Sequence, residues 1–152
     1  MAPRIVVDTN VVVSAILSPH GAAREVLRRC LTGDARPLIS NALFLEYEDV
    51  LAREDLFTKA PISTRDRAVL LDAVLSVCQW VNITFLWRPN LPDESDNHLI
   101  ELAVAGNAEW IITGNTRDIA TGELVFDSFR IVTPGIWLKE DDEHGNTNNP
   151  NS

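Results

Sequence analysis

Apolar residues fall in two registers along this chain. Short unbroken runs, Ile5-Val6-Val7, Leu38-Ile39, Trp110-Ile111-Ile112 and Ile131-Val132, alternate with longer stretches where apolar positions recur every three or four residues. Unbroken runs of that length suit strands buried on both faces, and the longer recurrence suits amphipathic helices. The pattern predicts strands at residues 5–8, 37–40, 81–85, 110–113 and 130–133. It predicts helices at residues 10–17, 22–31, 41–52, 63–79, 93–105 and 134–138. Ser18-Pro19-His20-Gly21 separates the first two helices, and Thr32-Gly33-Asp34 and Gly106-Asn107 are C-terminal stop signals. Strands alternating with helices imply the α/β class, a three-layer α/β/α sandwich with a central parallel sheet of about five strands. The crossovers must be right-handed, while the strand order stays open.

Composition narrows the class without changing it. A chain of 152 residues, 45% apolar and 23% charged, is expected to fold as one domain with a sizeable core. That domain is expected over residues 1–139, with residues 140–152, acidic and then Asn-rich, as a disordered tail. The net charge of −9 argues against holding nucleic acid by bulk charge. It leaves room for a bound divalent cation to present the phosphate-binding surface. Cys30 and Cys78 form no C-x-x-C motif, which fits a reducing cytosol. Asp8 and Asn10 interrupt the apolar N-terminal run, so an export signal is not expected, and no stretch has the length of a membrane span. The expected location is cytoplasmic.

Four acids recur at comparable places in the strand–helix pattern. Asp8 follows the first strand, and Glu46 lies in the helix after the second. Asp96 stands at the start of the helix leading into the fourth strand, and Asp118 lies just past that strand. A carboxylate beyond the C-terminal end of a parallel strand sits where open α/β sheets hold ligands. Each also has a plainer reading. Asp8 or Asn10 could simply cap the next helix, and Glu46 could share a solvated face with Glu48 and Asp49. Asp93 and Asp96 could serve a helix N-terminus, where negative charge gains about 0.3–1 kcal/mol. Asp118 could cap a short turn. Several carboxylates in one cleft would repel each other and raise at least one pKa. Mg²⁺ or Mn²⁺ would relieve that conflict, since a hard cation takes oxygen ligands and can polarise a phosphodiester.

Other chemistry finds less support. The chain holds no G-x-S-x-G, Walker A or G-x-G-x-x-G motif. His20, His98 and His144 lack zinc spacing; His98, close to Asp96, could be a minor contributor to the site, though solvent exposure is the expectation. Asp93-Glu94-Ser95-Asp96-Asn97 lacks the glycine and the closing glutamate of a calcium loop.

Val7-Asp8-Thr9-Asn10-Val11, Ser40 through Glu46, Asp93 through Asn97 with Leu102-Ala103, Thr113-Gly114-Asn115-Thr116-Arg117-Asp118 and Arg130 through Pro134 together resemble the PIN-domain family, which includes the VapC-type toxins of toxin–antitoxin pairs. The resemblance covers about residues 4–138. It implies that strands one and four are neighbours and that Asp8, Glu46, Asp96 and Asp118 meet at the sheet's C-terminal edge as catalytic and metal-binding residues. Asn10, Asp93, Thr113 and Asn115 would support them. Many relatives have an aspartate where Asn115 stands, which bears on the fourth ligand and on any second metal site. The implied activity is Mg²⁺- or Mn²⁺-dependent cleavage of single-stranded RNA, with an antitoxin as protein partner and a homodimer as the assembly. Arg117, Arg24 and Arg28 are candidate substrate contacts, and Trp87 and Trp110 candidate base-stacking rings. Two rivals stand beside this reading: a non-catalytic binding module for nucleic acid or protein on the same scaffold, and a receiver-like phosphoacceptor domain. The second lacks a well-placed lysine after strand five.

Overall fold

The computed structural model describes residues 2–60, 62–83, 98–115 and 128–143, with the backbone alone of residues 97 and 144–147. The elements run β1 (Arg4–Val7), α1 (Thr9–Leu17), α2 (Ala22–Leu31), β2 (Arg36–Ile39), α3 (Asn41–Leu51), a 3-10 turn (Glu54–Phe57), α4 (Thr64–Val77), β3 (Gln79–Trp80), α5 (Asn97–Gly106), β4 (Trp110–Ile112), β5 (Arg130–Val132) and α6 (Pro134–Thr147). All strand pairs are parallel, in the order β3-β2-β1-β4-β5. This is the three-layer α/β/α architecture, with strands one and four adjacent.

β1 is the centre of the sheet because every residue of it after Arg4 is apolar. Ile5, Val6 and Val7 are buried, as are Leu38 and Ile39 of β2 and Ile111 and Ile112 of β4. In register, Val6 faces Ile111 and Val7 faces Ile112. Removing such side chains from water favours folding by about 1.5–3 kcal/mol each. α5 packs on β1, β2 and β4, while α1 packs on α2 and α3. Ser40 and Ser63 cap α3 and α4 by accepting from the backbone N–H of Leu43 and Asp66.

The expected strand at 81–85 is displaced. The ladder on β2 forms at Gln79 and Trp80, opposite Leu38 and Ile39, while residues 81–83 are not strand and 84 and 85 lie outside the described residues. α4 accordingly ends at Val77, two residues early. The stop after α5 also works differently from the glycine signal. Asn107 takes the left-handed conformation, with φ 54°. Gly106 is needed for close approach: a Cβ there would lie 2.5 Å from Leu38 Cδ1.

α6 extends through Thr147, beyond the expected helix end at Leu138 and the expected tail boundary at 139. Its acids have partners. Arg29 of α2 binds Asp141 and Asp142, and Arg130 binds Glu140. The Arg29 guanidinium also lies 5.9 Å from the centre of the buried Trp137 ring.

Candidate functional site

The backbone fixes Asp8 before its side chain acts. Its N–H donates to Ile112 O at 2.9 Å, prolonging the β1–β4 ladder by one residue. Oδ1 then accepts from the Thr9 N–H at 2.7 Å, capping α1, and Oδ2 accepts from the Thr113 hydroxyl at 2.7 Å. Asp8 therefore caps α1, as the plainer reading expected. Each oxygen keeps a lone pair for a further ligand.

Glu46 reaches the same place from α3. The next residue, Tyr47, donates its hydroxyl to Val7 O, pinning α3 to the end of β1. Glu46 Oε1 accepts from Thr9 Oγ1 at 2.5 Å, and Oε2 lies 2.8 Å from His98 Nε2. Thr9 thus touches both acids, its N–H on Asp8 and its hydroxyl on Glu46. Burial raises the pKa of Asp8 above the usual carboxylate range, and the charge of Glu46 raises it further; the hydrogen bonds from Thr113 and Thr9 and the nearby His98 oppose this.

The far side of the site belongs to β4. Thr113 is fully buried, so its hydroxyl serves Asp8 rather than solvent. Thr113 Oγ1 in turn accepts from Asn115 N at 3.1 Å and, more weakly, from Asn10 Nδ2 at 3.4 Å. Asn10 Oδ1 accepts from Gly114 N at 3.0 Å. Asn10 therefore braces the loop after β4 and acts on Asp8 through Thr113. Asn115 contributes its backbone N–H to the same network.

Asp93, Asp96, Arg117 and Asp118 lie outside the described residues, as does Trp87. Arg24 donates from Nε to Ala15 O at 2.7 Å, and Arg28 pairs with Glu25 one turn earlier on α2. Trp110 is partly buried and covered by Arg130, 5.2 Å from its ring centre.

His98 corrects an expectation. Its side chain is 17% exposed and tied to Glu46, not turned to solvent. A carboxylate only accepts, so Nε2 carries the proton in this bond; Nδ1 is buried with no hydrogen-bond partner among the described residues. Helical spacing to Glu101 and Leu102, both buried, was the signal available for it. Thr9 was legible as a helix former but not as the bridge between two acids.

Among the described residues no cluster of three metal-ligating side chains occurs. The pair that is described still suits a hard cation: two neighbouring carboxylates, with the charged form of Asp8 disfavoured first by burial and then by Glu46. Mg²⁺ commonly takes only one or two carboxylates and keeps waters for the rest of its shell.

A parallel α/β sheet whose central strands deliver an aspartate and a bracing threonine to one edge, with a glutamate facing them from α3, defines a carboxylate-centred α/β domain of the ligand-crevice type. The PIN domain family model matches residues 4–117, and the chain belongs to the PIN-domain family, whose members are generally nucleases. No curated protein matches the chain significantly. Among solved structures, the chain is similar to the crystal structure of VapBC2 from Rickettsia felis bound to a DNA fragment from their promoter. That match has a TM-score of 0.57 and 16% identity, covering 84% of this chain and 96% of the other. It shares the fold.

Proposed function

We propose that the chain is a Mg²⁺- or Mn²⁺-dependent endoribonuclease that hydrolyses phosphodiester bonds of single-stranded RNA, and that it is the toxin of a toxin–antitoxin pair. The observation that carries this is the Asp8–Thr9–Glu46 arrangement, two carboxylates bridged by one residue at the C-terminal edge of the sheet. Asp8 and Asp96 would hold the cation directly or through water, with Glu46 and Asp118 completing the shell or orienting the attacking water. A bound divalent cation supplies charge neutralisation on a phosphate oxygen and an activated water. The chain's own residues supply the frame: Thr113 and the Thr9 N–H hold Asp8, and Thr9 and His98 hold Glu46. Arg117, Arg24 and Arg28 are the proposed phosphate contacts.

Family membership supports the nuclease class, and the likeness to a VapBC2 complex supports an antitoxin partner. A homodimer and a cytoplasmic location belong to the same reading. No helix of the described residues is long and apolar enough to cross a membrane.

The test incubates purified protein with single-stranded RNA in Mg²⁺, Mn²⁺ or EDTA, beside an Asp8→Asn, Asp96→Asn double variant. Cleavage should require the metal and vanish in the variant. Equal cleavage by the variant would sink the site. Binding of RNA without cleavage under either metal would favour the non-catalytic module.

A further inference from the structure

A cavity of about 310 Å³ opens beside the acid pair, between the N-terminus of α3, the exit of β3 and the first turn of α5. It is lined by Ser40, Asn41, Trp80, Asn82, His98 and Glu101, with smaller apolar side chains between them. His98 belongs to both places, bonded to Glu46 and forming part of the cavity wall. Whatever fills the cavity therefore lies one side chain away from the carboxylates.

We propose that this cavity is a nucleobase subsite, taking one unpaired base of the RNA next to the phosphate that a cation at the Asp8 and Glu46 edge would bind. The proposal rests on the ribonuclease reading above. Trp80 is 51% exposed yet held in place: its backbone is in register with Ile39 in the β2 ladder, and its ring packs at 5.7 Å and 58° against Phe44. A fixed, half-exposed indole beside a cleft is a stacking platform for any base. Asn41 and Asn82 each offer a donor and an acceptor, the pair of functions a base edge presents. Among the described residues the lining carries no lysine or arginine and includes Glu101, which favours a neutral ring over a phosphate as the occupant. The volume, near the lower end for small-ligand pockets, suits one ring system rather than a peptide helix.

The experiment measures binding apart from cleavage. A fluorescently labelled single-stranded RNA with a hydrolysis-resistant phosphorothioate backbone is titrated by anisotropy into the native chain, Trp80→Ala and Trp80→Phe in Mg²⁺. The same RNA carrying an abasic nucleotide at each position in turn is the second probe. Circular dichroism checks that the variants are folded. Trp80→Ala should weaken binding by about 5- to 150-fold, as expected for one stacked base, while Trp80→Phe keeps most of the affinity. One abasic position should weaken the native chain and leave Trp80→Ala unaffected. Equal affinity of the native chain and Trp80→Ala, or no RNA binding by the native chain, overturns the subsite. Metal-dependent cleavage with Trp80-independent binding would overturn the subsite and leave the nuclease reading standing. Trp80-dependent binding with no cleavage in any metal would do the reverse.

Discussion

Thr113 holds Asp8 from across the sheet: its hydroxyl donates to Asp8 Oδ2 over 2.7 Å, joining the ends of β4 and β1. Both residues are buried, so the bond is shielded from water. Thr113→Val keeps the shape and removes the donor. It should cost about 1–3 kcal/mol, because a buried carboxylate and the N–H of Asn115 lose a partner together. Thr113→Ser should restore most of it. Urea denaturation reads the stability, and Mn²⁺ titration calorimetry should show weaker binding for the valine variant alone. A valine variant as stable as the native chain would show that the bond does not hold Asp8.

The pH dependence of stability follows from Asp8. Its pKa in the folded protein is raised, chiefly by burial and then by Glu46, so the folded state binds a proton more tightly than the unfolded chain. That contribution is present below the ordinary aspartate pKa and is lost as pH rises through the folded value. In EDTA, the melting temperature of Asp8→Asn should therefore gain on that of the native chain between about pH 4 and about pH 8. Mn²⁺ at the higher pH should raise the native melting temperature by mass action and leave the variant unchanged. A pH-independent difference would contradict the burial of the charge.

Arg67 is 2% exposed, unusual for a cation. Its guanidinium donates to Leu51 O at 2.9 Å, Ile62 O at 3.2 Å and Glu54 Oε1 at 2.7 Å, and lies 4.4 Å from the centre of the Phe57 ring. It ties α3, the 3-10 turn and α4 together. Arg67→Met should cost about 1–3 kcal/mol for each buried carbonyl it orphans. Glu54 is exposed, and Glu54→Gln should cost clearly less than Arg67→Met. Equal losses by chemical denaturation would mean that the ion pair, not the carbonyl contacts, dominates.

Cys30 and Cys78 are both free thiols, and burial pushes each up to about 12. The thiolate is the reactive form. Ellman's reagent at about pH 8 should find no fast-reacting thiol in the folded protein and both in urea. Prompt reaction of either cysteine in the native state would reveal an opening that exposes it.

What the sequence made legible is local. The run Ile5-Val6-Val7 before Asp8, the serine caps at 40 and 63, and the apolar spacing of Leu99, Ile100 and Ala103 all carry their signal within a few residues. β3 was misplaced because pairing with β2 stops at the Val81 N–H, which donates to Ile39 O at 2.8 Å, while Ile83 packs against the core beyond it. The ladder instead takes Gln79 and Trp80, which read as a helix end. The acids of α6 looked like a solvated tail because their main partner, Arg29, lies 112 positions away from Asp141. His98 escaped for the same reason, its partner Glu46 being 52 residues distant. Pairings of that range leave no periodic trace.

The two borders of the sheet are unequal in what they can recruit. β3 contributes two residues and β5 three, and Arg130 sets a charge on the latter. An edge this short exposes too few backbone donors and acceptors to template another strand. The brevity of these edges thereby guards against edge-to-edge aggregation, and the large ring at the β3 border can stand in water without inviting a neighbouring copy to zip on.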